Sequence, residues 1–549
     1  MQAARSSKNV VYIYQCITFE ACGVCFRYPG RVGFYPPPPL SSEPAVLSSS
    51  LVDLSQIITL QLGRCGNNMA HEFWRDLCEE HLIEYRDGSG TYTGDIDGIR
   101  MDHISVFFNE GSKGRYVPRT LLVDLNLSDL HQVTASSDGL GSLYRPEAII
   151  ANDEGSGNCY ARAFHTEGPD LAEHVLETIR KEAESCDCLQ GVQFIQSLCG
   201  GTGSGLGGLC MKTISDYLDS GVGMKCIMQS FATLPSPDVG DRVLEYYNAA
   251  LGVQDLMDYC HQAFLFDNMA LSAICQKTLN MEVPRFSNMN NIVALAMSGI
   301  TSSLRFPGTL DADLRKMHTN LVPFKNAHFL MTGFAPLTAL SSNKYRKVSI
   351  LDLVQQMMSK DNATLSCDPL NPGDPRNGIP RARFLASFAA FRGECPSGEV
   401  DEICHALQRD GSRWDMFFPD WIPNSISASI CTVGHCEAGD SATMVSNNTS
   451  MYEVMDRLGA CWDSMYKAKS HLYVYQQDGM STEDMLESRN VLQYISDQYR
   501  EFATYEDKFF GERGDHTINQ QAIKSDEHQQ IMEELVSLTE TYIRTETRA

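Results

Sequence analysis

No charge-free run of about 18 apolar residues appears anywhere in the 549-residue sequence, so no membrane span is expected. Basic residues are scarce, with 44 Lys and Arg against 69 Asp and Glu, for a formal net charge of −25. That balance argues against a nucleic-acid partner, because a protein that grips phosphate backbones needs a basic face. It favours solubility and basic partners. Cys22 and Cys25 form one CxxC with no second pair nearby, short of the four or so ligands of a zinc site. The apolar stretch from Val10 to Phe26 is interrupted by Glu20 and lacks a clear small-residue cleavage site, so a signal peptide is not expected there. There is no internal repeat.

With 43% hydrophobic and 21% charged residues the chain has a globular balance, and its length predicts two or three domains. The 19 cysteines are odd in number and scattered, some in buried-looking runs such as those of Cys210 and Cys275. They read as reduced cytosolic thiols rather than a disulfide framework. Residues 1–53 stand apart. Pro36 to Pro39 and a serine cluster suggest an extended linker, so this stretch reads as a disordered extension or as an upstream start.

From Gln56 onward strands and helices alternate. Ile57–Leu62 reads as a strand, Gly63 and Gly66 as a turn, and Asn67–Glu80 as a helix. Leu171, Val175, Leu176 and Ile179 recur at helical spacing. Gly191–Leu198 reads as a strand, and a glycine loop and a helix carrying Leu209, Ile214 and Leu218 follow. Cys226–Leu234 is a further strand. This is the pattern of an α/β fold with a doubly wound parallel sheet over residues 54–265. An α+β domain is expected over 266–445 and a helical region over 446–549.

The strongest motif is Cys199-Gly200-Gly201-Thr202-Gly203-Ser204-Gly205, between a strand and a helix. Glycines let backbone N–H groups close on an anion, and the following helix presents its positive end. Thr202 and Ser204 offer hydroxyl donors. The loop lacks the Gly-Lys-Ser/Thr ending of a P-loop. It predicts phosphate binding of another kind.

This loop resembles the tubulin signature. So do Gly63-Arg64-Cys65-Gly66-Asn67-Asn68, the stretch from Arg180 to Gly191, Leu304-Arg305-Phe306-Pro307-Gly308, and Gly333 to Thr338. The similarity covers about Asp53 to Phe502. The resemblance implies GTP or GDP as ligand. It assigns the phosphates to Ser197, Gly200, Gly201, Thr202, Gly203 and Ser204, with Arg64 and Cys65 beside them. Gly157 and Asn158 approach the terminal phosphate, Asp241 and Glu245 face the sugar, and Asn268 and Asn290 pair with guanine. An amide carries both the donor and the acceptor that guanine requires. Phe286, where the family has Tyr, can stack on the base. The implied partners are an alpha-type tubulin and other tubulin subunits, and the implied setting is the cytoplasm and its cytoskeleton.

Two features resemble the beta type: the Trp421-Ile422-Pro423-Asn424 stretch, and Lys316 where alpha subunits carry a catalytic Glu. A lysine is a poor base near neutral pH, since its ordinary pKa is about 10.4. No catalytic residue is therefore expected in this chain, and GTP hydrolysis would be completed by a partner subunit. Three departures surround the phosphates. Arg64 replaces a family Gln, Asn126 replaces a magnesium-associated Glu, and Cys199 replaces the first loop glycine. Asp124 remains as a magnesium candidate. These changes read either as drift or as altered magnesium dependence. The glutamate-rich tail of the family is missing; instead Ile531, Leu535, Leu538 and Tyr542 mark one apolar helix face. A Pro/Gly segment, Leu370 to Pro380, is extra. The expected function is a GTP-binding subunit of a microtubule-like assembly; the alternative is a GTP-loaded capping or interaction protein with little hydrolysis.

Overall fold

The computed structural model describes residues 56–510 apart from 95–97, 113, 219–225, 238–239, 241–242, 309–312, 338–348, 374–378, 409–414, 420, 423–424 and 436–438. The N-terminal extension, Cys22, Cys25 and the stripe at 531–542 lie outside the described residues. Strand β1 (Gln56–Leu62) runs straight into α1 (Gly63–Glu80). A ribbon of β2 (Phe108–Glu110) and β3 (Tyr116–Pro118) precedes β4 (Thr120–Asp124), α2 (Leu127–Thr134) and β5 (Ile149–Ala151). Next come α3 (Gly168–Glu184), β6 (Leu189–Ser197), α4 (Gly207–Tyr217), β7 (Ile227–Leu234), α5 (Glu245–Tyr259) and β8 (Gln262–Asp267). Helices α6 (Asn268–Lys277), α7 (Phe286–Arg305) and α8 (Leu314–Leu321) lead to β9 (Phe329–Ala335) and α9 (Ile350–Met357). Then follow β10 (Phe384–Arg392), α10 (Ser397–Leu407), β11 (Ile426–Cys431) and β12 (Ser441–Asn448). The last described elements are α11 (Met451–Lys467), α12 (Leu472–Gln477) and α13 (Thr482–Phe510).

One ten-stranded sheet has the order β11-β10-β12-β9-β8-β7-β6-β1-β4-β5. From β5 to β8 all pairings are parallel. Beyond β8 the sheet is mixed, with β12 antiparallel to both β9 and β10 and β11 parallel to β10. The two halves, expected as separate domains, share this sheet through a short ladder that pairs Ala263 with Phe329 and Phe264 with Leu330.

A parallel sheet buries both faces, so its strands are apolar runs rather than alternating ones. On β1, Ile58, Leu60 and Leu62 face one core cluster while Ile57 faces the other. On β7, Met228, Ala232 and Leu234 oppose Ile227 and Phe231 in the same way. The first cluster takes in α3, α4, α5 and the C-terminal helices; the second takes in α1, α6, α7 and α8. No described helix is long and apolar enough to cross a membrane.

The helix expected from Asn67 begins at Gly63, whose φ of +71° makes the turn alone. Gly66 is already helical. A Cβ there would lie 2.2 Å from the Ile195 carbonyl oxygen, so the glycine permits α1 to pass close over β6.

At its far end α1 carries Glu80, which is fully buried. Its carboxylate meets the Arg305 guanidinium of α7 and, at 2.8 Å, Arg392 Nη1 of β10. The Ser298 hydroxyl donates to it at 2.7 Å. Arg305 also donates to the Ser298 carbonyl at 2.8 Å. Phe306 lies under both guanidiniums, 5.0 and 5.8 Å from ring centre to carbon, and His81 stacks on the same ring at 4.8 Å. Burial pushes His81 down to about 3 and His435 down to about 4, so both are neutral at physiological pH. Burial opposes the ionised form of Glu80, but the Arg305 and Arg392 guanidiniums outweigh it and hold the carboxyl well below the usual carboxylate range.

Removing the charge of Glu80 would leave two guanidiniums facing each other without water. Breaking such a buried pair costs about 3–5 kcal/mol. Glu80→Gln is therefore expected to lower unfolding stability by that amount in urea titration. A loss under about 1 kcal/mol would show that the cluster is not holding α1, α7 and β10 together.

Candidate functional site

In an open α/β sheet, ligands lie outside the carboxyl ends of the strands, where the strand order reverses. Here the chain moves from β1 outward to β4 and β5, then returns to β6 on the other side of β1. The reversal falls between β1 and β6, whose carboxyl ends carry Gly63 and the glycine loop. A Cβ on Gly63 would touch Gly203 N at 3.3 Å and Thr202 Cβ at 3.4 Å. The two turns therefore face each other directly.

The glycine loop follows β6 and feeds helical backbone at Gly201, a π turn over Thr202–Leu206, and then α4. Its glycines have no room for side chains. A Cβ would lie 2.6 Å from Cys159 N at Gly201, 2.3 Å from the Ser197 carbonyl oxygen at Gly203, and 2.4 Å from the Tyr160 carbonyl oxygen at Gly205. The loop is thus folded tightly at the N-terminal end of a helix, where N–H groups lack intrahelical acceptors. Ser156 Oγ lies 3.2 Å from Thr202 Oγ1. Ser204 departs from expectation: its hydroxyl is buried and donates to the Gly200 carbonyl at 2.6 Å. It braces the loop from within rather than offering a donor to a phosphate. Ser197 Oγ accepts from Cys199 N at 3.3 Å. Burial raises the Cys199 thiol far above its ordinary value, so the residue is an inert thiol.

Asp124 closes β4 on the same edge. One carboxylate oxygen accepts from Asn126 N at 3.2 Å; the other is buried with no hydrogen-bond partner among the described residues. Burial, helped by Asp129, raises this carboxyl to about 7, with Arg64 opposing. Arg64 is exposed and reaches Asp129 at 3.7 Å. Asn126 caps α2. Its side-chain oxygen accepts from Ser128 N at 3.1 Å and Ser128 Oγ at 2.7 Å, and its amide donates to Asp129 at 3.0 Å. That side chain is engaged in the cap rather than turned out as a ligand. Cys65, half-buried, lies 3.9 Å from Thr233 Oγ1.

The loop after β5 holds three left-handed residues, Gly155, Gly157 and Asn158. Asn158 tolerates this conformation better than most residues. The loop meets a residue that motif reading missed. Asn248 of α5 is fully buried, and its amide donates to the carbonyls of Asn158 at 2.9 Å and Cys199 at 3.1 Å. Asp255, seven residues further along the same helix, accepts from the Tyr160 hydroxyl at 2.7 Å, and burial raises its carboxyl to about 8. A Cβ on Gly208 would lie 1.9 Å from Asp255 Oδ2. Polar side chains seven apart on a face of α5 otherwise lined by Ala, Leu and Val were the available signal.

The remaining candidates lie on the same edge or on helix starts. Glu245 begins α5 and is buried; Asp241 lies outside the described residues. Asn268 begins α6, capped by Asp267, which accepts from Met269 N at 3.0 Å. The first residue of α7 is Phe286, 56% exposed, with Asn290 half-buried four residues on. Lys316 is exposed on α8, separate from the glycine loop in sequence and element.

A strand, glycine loop and helix at the switch point of a parallel sheet define a nucleotide-binding α/β protein. Residues 56–276 match the GTPase domain of the Tubulin/FtsZ family, and residues 326–460 match the tubulin C-terminal domain. The human tubulin beta-1 chain is 39% identical over 450 residues, covering 82% of this chain and 94% of the relative. A Candida albicans tubulin beta chain is 38% identical over 449 residues, with 82% and 95% covered. A tubulin beta-3 chain from an oomycete-like species (strain MacKay2000) is 39% identical over 468 residues, with 84% and 100% covered. The chain belongs to the tubulin family, as a divergent member of the beta type and a GTP-binding subunit.

Proposed function

We propose that this chain binds GTP or GDP in the crevice between β1 and β6 and docks head-to-tail with tubulin partners, an alpha-type subunit first among them. The observation that carries the reading is the glycine loop at the switch point, closed so tightly that a Cβ at Gly201 or Gly203 would meet backbone. Ser197, Gly200, Gly201, Thr202 and Gly203 hold the phosphates, with Arg64 and Cys65 alongside and Gly157 and Asn158 at the terminal phosphate. Asp241 and Glu245 serve the sugar; Asn268, Asn290 and Phe286 serve the base. The matched regions support a nucleotide-binding domain over 54–265, an intermediate domain over 266–445 and outer helices from 446. We assign the protein to the cytoplasm and its cytoskeleton on the strength of its relatives.

Mg²⁺ fits one position in this site. The unpaired, buried oxygen of Asp124 is a hard donor of the kind Mg²⁺ takes, and a cation beside it would favour the ionised carboxylate over the raised value near 7. When bound, the metal would neutralise charge on the terminal phosphates. Asn126, engaged in its cap, adds no negative charge. Arg64 supplies a guanidinium near the phosphates instead; its exposed ion pair with Asp129 is worth under about 1 kcal/mol, so it can turn to an anion. Weak dependence on metal together with slow hydrolysis would favour the second reading, a GTP-loaded capping protein. Hydrolysis of this chain's own nucleotide needs an acidic residue from a partner, while Lys316, on this chain's docking surface, offers none to the nucleotide of a neighbour.

Mixing the protein with polymerising alpha/beta tubulin and GTP tests the docking. It is expected in the pellet, with Lys316→Glu raising GTP turnover in those assemblies. A protein that stays in the supernatant contradicts the polymer role.

The metal is tested by GTP affinity with and without a chelator. The native protein is expected to lose little, and Arg64→Gln/Asn126→Glu at least tenfold, or about 1.4 kcal/mol. Equal losses would contradict the substitution of Arg64 for metal.

A further inference from the structure

Asn248 has every hydrogen-bonding capacity of its amide filled, and its four partners come from three segments. Its Nδ2 donates to the carbonyls of Asn158 and Cys199, at 2.9 and 3.1 Å. Its Oδ1 accepts from Tyr160 N at 3.0 Å and from the Tyr475 hydroxyl at 2.6 Å. Three of these partners, Asn158, Tyr160 and Cys199, belong to the two loops around the proposed phosphates. The fourth, Tyr475 of α12, belongs to the outer helices. Tyr475 is fully buried and packs edge-on against Tyr247 at 5.6 Å, which in turn packs against Trp462 of α11 at 5.8 Å.

The consequence for the loop is geometric. A trans peptide points its C=O and N–H in opposite directions. With the Cys199 carbonyl held on Asn248, the Gly200 N–H faces the other side of the loop, toward the crevice. The amide thereby sets the direction of a donor that an anion needs. The Tyr160 N–H, which can only donate, fixes which end of the amide is oxygen, and the Tyr475 hydroxyl adds a second bond to that oxygen that restrains Asn248 from rotating.

Resting on the nucleotide reading above, we propose that Asn248 is a positioning residue for the phosphate loops and that Tyr475 of α12 locks it, so that this buried hydrogen bond sets the rate of nucleotide release.

The test is the release of N-methylanthraniloyl-GDP from the full-length protein, chased with excess GDP. Tyr475→Phe deletes one hydroxyl and keeps the ring, so release is expected to quicken about five- to tenfold. Asn248→Asp places a carboxylate oxygen against two carbonyls and is expected to quicken it further. Ile495→Val thins the same buried layer without removing a hydrogen bond, and should leave release unchanged at a comparable loss of thermal stability. Wild-type release from Tyr475→Phe overturns the inference, as does equal acceleration in Ile495→Val. A wild-type chain that takes up no labelled GDP overturns the nucleotide reading, and this inference with it.

Discussion

Helix α1 is fixed at both ends, and the arrangement of the rest follows from that. At its start, Gly63 turns the chain against the glycine loop and Gly66 lets the helix lie within reach of the Ile195 carbonyl. At its end, Glu80 is enclosed by two guanidiniums from α7 and β10 and is shielded from bulk solvent. Buried charges of this kind add little net stability but tolerate no missing partner. The cluster therefore specifies one relation between the parallel half of the sheet and the mixed half. The ladder between β8 and β9 is too short to do so alone.

The crevice at the carboxyl ends of the strands inherits its shape from this frame. Its walls are backbone at the places where an anion would sit, because glycines occupy positions that have no space for a Cβ. Arg64 brings an exposed cation to this edge, and Asn126 serves there as a neutral cap. A second polar layer lies behind the loops, built from Asn248 and Asp255 of α5, and it connects the crevice to the outer helices. Binding and release are in this view governed by different groups: the glycines admit the ligand, and the layer behind them holds the loop in place.

Much of this was legible in the residues. Strands β1, β6 and β7 are short runs rich in Ile, Leu, Val and Phe and ended by turn or loop residues, and the loop after β6 announced an anion site. What was not legible depended on distant or competing partners. Gly66 reads as a turn residue until the β6 carbonyl beneath it is seen. Ser204 reads as a phosphate donor, but the Gly200 carbonyl one helical turn back is a nearer acceptor. Asn126 reads as a substituted metal ligand, yet short polar side chains at that place before a helix favour capping. Glu80 looks like one more surface charge, since its partners lie 225 and 312 residues away in sequence.

The most direct measurement is the identity of the nucleotide carried by the purified, folded protein, read by chromatography after denaturation. Stoichiometric GTP or GDP is the expected result, retained through purification because the loop encloses the phosphates. ATP in its place, or an empty site in a sample that is folded, would contradict the account.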